Sequence, residues 1–553
     1  DMVTYNVGNT NGLRLLNGAG FSGEYAGDLQ TANANVKLTA DRAAVATNTN
    51  SLILNGFGIT NPGGAITIPI SSASLAGNIL INSANNIAGA NTTLGITTTE
   101  LDILATANST ISATIGTATT GSLVLSGTGN VTLSAANPYT STTFINGATL
   151  TAGANNVLSS GGVTMRDGLY NLAGNSDTVG ALSLTAGTIT TGAGTLTGNG
   201  SFTTATNANF ASVITGNLGL GANATFTIGD GLMDNDAVIS AVISGAFTFG
   251  KAGTGVLMLS GSNTYTGATT ISAGTLRLGA AGGATNTPLG TTAGGTTVST
   301  TLDLNGYTLG TAEGLTLNAG TLTNTSSNAA TYSGLITLGA TGSNITSNYG
   351  DINITNTGNI TGNTFTLAIG GAGNGSLASN LNTSTGTLTK NGVGVWTISG
   401  GASTFTGLTT ISAGTLKLGS AGSGSNTPLG TNAGGVTVTS GAIFDLNGYT
   451  LATAEPIGSL AGSGITSTGA FINSSNNSVS YSGSIILGSG SRIVNYGSGV
   501  MTLTGNISGN FALTTVAIGD ITQYSASVWS GTGTLIKEGS GTLILAGQNT
   551  MTG

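Results

Sequence analysis

Apolar and polar residues alternate along most of this chain in short runs, the period of a strand that buries one face. Ala148-Thr149-Leu150-Thr151, Thr275-Leu276-Arg277-Leu278, Leu315-Thr316-Leu317 and Met501-Thr502-Leu503-Thr504 show it plainly. Such runs are bounded by Gly, Asn-Gly or Ala-Gly, which admit the positive φ of a tight turn. The pairs Asn305-Gly306 and Asn447-Gly448 mark bends of this kind. The pattern predicts an all-β chain of many short strands, compatible with a sandwich, a barrel or a solenoid. Leu38–Thr47 is a candidate for a short helix.

Internal copying selects the solenoid. Gly267–Gly279 (GATTISAGTLRLG) returns as Gly407–Gly419 (GLTTISAGTLKLG), Thr285–Thr291 as Ser425–Thr431, and Asp303–Leu309 as Asp445–Leu451. Lys251 corresponds to Lys390 and Lys537, steps of 139 (390−251) and 147 (537−390) residues. A catalytic centre is usually made once, whereas a scaffold grows by copying, so the repeats predict stacked turns. At roughly 20–25 residues per turn, each block holds about six turns. With turns about 4.8 Å apart, the whole chain would make a rod on the order of 120 Å long. Stacked Asn and Thr are expected to form side-chain ladders.

Five sections follow from the copies. Residues 1–126 are an atypical N-terminal section, read as a cap; 127–250 are a diverged block. Residues 251–389 and 390–536 are clear copies, and 537–553 begin another that stops mid-motif, so a cut or a continuation is expected there. Asp1 reads as a mature or trimmed start, since no signal-type segment opens the chain.

Composition narrows the function. Only 10 basic and 18 acidic residues occur among 553, for a net charge of −8, while glycine supplies 94. Low charge with a mean hydropathy of +0.28 argues against disorder. No apolar stretch approaches the roughly 20 residues of a membrane span. Scattered basic residues argue against nucleic acid. Histidine and cysteine are absent, which removes Ser-His-Asp and Cys-His nucleophile systems, histidine zinc motifs and disulfides. No cofactor is expected.

Few side chains then remain as site candidates. Asp230, Asp234 and Asp236 form the densest acidic patch, a weak calcium candidate lacking EF-hand spacing. Asp303 with Asp445, and Glu313 with Glu455, recur at one offset of 142 residues (445−303 and 455−313), which favours turn and edge roles over catalysis. Trp396 and Trp529 are expected in the packing rather than as sugar platforms. Tyr265 with Phe405, Tyr307 with Tyr449, Tyr332 with Tyr481 and Tyr349 with Tyr496 hold matched places, which favours stacking between turns.

Lys251–Gly279, with Asn263-Thr264-Tyr265-Thr266-Gly267 and Gly274-Thr275-Leu276, resembles the autotransporter-associated β-strand repeat. That repeat occurs in passenger domains of bacterial outer-membrane autotransporters and in very large secreted proteins. Ser399–Gly419 and Gly539–Gly553 follow the same pattern, and Val131–Leu150 follows it more weakly. The resemblance implies a right-handed parallel β-helix exported from a bacterium with two membranes. No translocator barrel is seen in these residues, so self-export does not follow from this sequence. The expected function is a non-enzymatic extracellular rod that stacks end to end with copies of itself. The alternative is an adhesin passenger that meets surface glycans or other cells. A stalk presenting another domain, and a polysaccharide-degrading β-helix enzyme, are weaker readings.

Overall fold

The computed structural model describes residues 100–553 except 117–120, 206–209 and 310–312, together with short segments of the first 99 residues such as Thr49–Leu54 and Gly77–Ile81. It divides into two compact units, Asp1–Gly267 and Ala268–Gly553. Both are parallel β-solenoids, as the alternation and copying predict. The described residues contain short strands and a single 3-10 turn, Ile465–Ser467.

In the first unit, Leu123 lies beside Thr143, and the same column continues through Val163, Leu182, Phe202 and Phe226. Steps along it run from 19 (182−163) to 24 (226−202) residues. In the second unit, Val436 lies beside Ile457, followed by Ile485, Ile507 and Trp529. Steps there run from 21 (457−436) to 28 (485−457) residues. The longest step carries the extra 3-10 turn, and the register shifts within Ile457–Gly462 before regular pairing resumes at Phe471 on Ile493.

Register turns the alternation into a core. Leu123 and Leu125 point inward between half-exposed Ser122, Val124 and Ser126, and parallel pairing puts the next turn's apolar residues on top of them. Rings share this interior. Phe202, Phe226, Phe249 and Tyr265 form a column with centroids 5.0, 4.5 and 5.5 Å apart. Phe471 in the second unit meets Phe444 at 5.5 Å and Tyr481 at 4.8 Å. Trp396 and Trp529 are fully buried, as expected.

The expected ladders are present. Asn473 donates to the side-chain oxygen of Asn495 at 3.1 Å, and both are buried. On the outer face, Thr270, Thr297, Thr316, Thr337 and Thr361 follow one another in register. One expectation needs correction. Arg42–Ala43 is strand rather than helix, and most of the rest of Leu38–Thr47 lies outside the described residues. Of the matched aromatics, Tyr265 stacks on Phe249, and Tyr481 meets Phe471 and Phe444 edge-on. Equivalent residues stand whole blocks apart, so each ring meets its own neighbouring turns.

Candidate functional site

The repeated acids Asp303, Asp445, Glu313 and Glu455 are buried, contrary to the edge roles expected of them. Asp303 and Asp445 each precede a Leu-Asn-Gly bend in which Asn305 and Asn447 have φ of 50° and 48°, and Gly306 and Gly448 have φ of 80° and 83°. Positive φ at two successive residues is what the Asn-Gly pair permits. Asp445 Oδ1 accepts from the backbone N–H of Asn447 (2.9 Å) and of Ser474 (3.1 Å). Its Oδ2 accepts from Ser474 Oγ at 2.7 Å and lies 3.8 Å from Lys417 Nζ. Asp303 repeats the arrangement with Asn305, Thr325 and Arg277, whose Nε is 2.9 Å from Oδ2. The turn role holds. The carboxylates sit inside the wall, where they bind three successive turns together.

Lys251 and Lys390 are buried in the same way. Lys390 Nζ donates to the carbonyls of Asn391 (2.8 Å), Gly392 (2.8 Å) and Ala413 (3.0 Å), the last from the following turn. Lys251 donates to Ala252 and Gly253. Burial draws both lysines down to about 8, while the carbonyls hold the ammonium form. Lys537, the third member, is exposed and donates to Gly539. Glu313 and Glu455 are also buried. Nothing in the sequence marked these residues as interior except their recurrence inside apolar strings, which is the signal that could have found them.

The acidic patch does not converge. Asp236 is buried, and its two oxygens accept from the N–H groups of Gly231 and Val256, both at 2.7 Å. Asp230 and Asp234 are exposed, and among the described residues no group of three acidic side chains could hold a metal. Asp236 closes its own loop through the backbone. Chelation with EDTA is therefore expected to leave the thermal unfolding midpoint unchanged, whereas a calcium-held loop would lower it.

An open cleft of about 380 Å³ lies in the first unit, lined by Asn137, Tyr139, Asn156, Leu158 and Ser159 among others. Its buried polar groups are engaged. Asn137 accepts from Ile115 N–H and donates to the Val157 carbonyl, Tyr139 bonds Thr143 at 2.6 Å, and Ser159 donates to the Ser141 carbonyl. Asp177 similarly accepts from Tyr170 at 2.6 Å and from two backbone N–H groups. Burial raises its carboxyl above the ordinary range.

A family model for the passenger-associated-transport repeat matches residues 123–152, 249–278, 388–418 and 535–553. Three of these stretches carry the repeated lysine two positions in (251−249, 390−388 and 537−535), and Leu125 stands at that place in the first. No curated protein and no solved structure matches the chain.

Proposed function

We propose that this chain, whose passenger-associated-transport repeats and β-solenoid fit an autotransporter passenger domain, is a non-enzymatic structural element at the exterior of a bacterial cell. The repeat family supports the cell exterior. The structural role is supported by where the few charges go, since the repeated ones are used inside the wall. A depolymerase needs such groups gathered on an outer face.

We further propose that copies add to one another through stacked turns. The supporting observation is that turns pair in parallel through their backbones, as Thr409–Ile411 does on Val436–Val438, so a turn carried by another copy offers the same pairing as a neighbouring turn of one chain. The low charge leaves little repulsion to prevent it.

Sedimentation velocity tests this reading. The chain is expected to grow in mass as its concentration rises. A single mass at all concentrations would sink stacking between copies. The adhesin alternative draws on exposed lateral aromatics, Tyr349 (73%) and Tyr524 (52%). It would be favoured by a monomer that still bound cells through those residues.

A further inference from the structure

Glu313 and Glu455 occupy one place in two repeat blocks, 142 residues apart (455−313). Their exposures are 1% and 0%. In each, hydroxyls serve one carboxyl oxygen. Thr296 Oγ1 donates to Glu313 Oε1 at 2.6 Å, and the hydroxyls of Thr427 and Thr453 both donate to Glu455 Oε1 at 3.2 Å. The other oxygen, Oε2, is buried without a partner in both residues. A tyrosine from a later turn closes each site: Tyr332 OH donates to the Glu313 backbone carbonyl, and Tyr481 OH to that of Glu455, both at 2.6 Å.

These tyrosines are the titratable groups that face the two carboxyls among the described residues. Burial, helped by the adjacent glutamate, pushes both phenols well above their ordinary range, so they stay neutral. No lysine or arginine pairs with either glutamate among the described residues.

An ionised carboxylate in the interior, with no cation and one bare oxygen, is strongly disfavoured and neutralises by taking up a proton. The two sites use different hydroxyl donors yet share the buried, unpartnered Oε2 and the tyrosine. The need for a proton therefore comes from the shared architecture rather than from one contact. We propose that Glu313 and Glu455 are proton-binding sites that make the stacking of the turns around them depend on acidity.

Each site joins three levels of the second unit. Thr427 precedes Glu455 by 28 residues, and Tyr481 follows it by 26. Thr296 precedes Glu313 by 17, and Tyr332 follows it by 19. Protonated, each glutamate holds its levels together. Ionised, it must either keep an unpaired charge inside or open the contact to water. In Glu455 the contact that opens includes Thr427, whose hydroxyl oxygen also lies 3.1 Å from the Gly430 carbonyl within the SNTPLGT loop.

The sign follows from burial, which raises both carboxyls from the ordinary 4.5 to about 7. A raised folded value means that the stability is complete below 4.5 and is lost as the pH climbs to about 7. Beyond that it stays at the lower level.

The test is urea unfolding of the full chain from pH 4.5 to 8.5, alone and as the double variant Glu313→Gln, Glu455→Gln. Between pH 5 and 7 the unmodified chain is expected to take up about two more protons on folding than the double variant, read from the slope of stability against pH. A second reading does not depend on the variant's folding. The infrared carbonyl band of a protonated carboxyl should persist in the folded unmodified chain at pH 6 and vanish by pH 8.5. Equal slopes in the two chains, or no such band at pH 6, would overturn the proposal. So would full recovery of the alkaline loss by sodium or calcium chloride but not by tetramethylammonium chloride at equal ionic strength, which would assign the sites to a metal cation.

Discussion

Trp396→Ala is expected to lower the stability of the second unit by about 3–5 kcal/mol, the range for removing a large buried aromatic. The indole is fully buried, and its Nε1 donates to the Gly370 carbonyl at 3.2 Å. Gly375 stands beside it in the preceding turn. A Cβ at Gly375 would lie only 2.5 Å from the indole Cε2, so this glycine is required by space. The two residues form one large-to-small contact between turns. Gly375→Ala should accordingly destabilise by about 1–3 kcal/mol through overpacking. Combined with Trp396→Ala it should cost less than the sum, because the alanine then enters the vacated volume. Urea midpoints of the three variants measure this. Strict additivity would show that the turns do not stack in this register.

The second large effect concerns the carboxylate inside the wall. Asp445→Ala leaves the N–H groups of Asn447 and Ser474 and the Ser474 hydroxyl without their acceptor. Asn447 is half-buried and Ser474 exposed, so water takes over part of this bonding and a total loss of about 1–3 kcal/mol is expected. Asp445→Asn keeps one acceptor oxygen and should lose roughly half as much. Asp303→Ala should match Asp445→Ala, because Asp303 makes the same set of bonds with Thr325 in place of Ser474. The two carboxylates share no partner, so their effects should add. A neutral outcome for either alanine variant would mean that the Asn-Gly bend is held by its backbone alone.

Much of this architecture was legible in the sequence, and the reason is local. Asn-Gly at 305–306 and 447–448 announces positive φ because few other residues tolerate it, and the bends lie there. Alternation at Thr275–Leu278 announces a strand with one buried face, and Leu276 and Leu278 are the inward residues. Trp396 and Trp529 lay in apolar company and are buried with it. What remained hidden depends on contacts between turns, which no single turn records. Lys390 looks like a solvated cation until the next turn supplies the Ala413 carbonyl. Glu313 looks like an edge charge until Tyr332, from a later strand, closes over it. Asp230, Asp234 and Asp236 look alike in sequence, yet Asp236 is buried on backbone donors while Asp230 and Asp234 are exposed. Matching by repeat also has limits. Tyr349 is 73% exposed and Tyr496 38%, because the Tyr496 hydroxyl finds the Thr468 carbonyl at 2.8 Å.

Together these features describe a chain whose buried, repeated charges hold turns together. We propose that it stands outside the cell, as its passenger-type repeats imply. Immunogold electron microscopy of intact cells that make the protein tests this most directly, using antibody raised against the folded chain. Label on fibrous material at or beyond the outer surface is the predicted result. Label confined to the cell interior, with none on the surface or in the medium, would contradict the account.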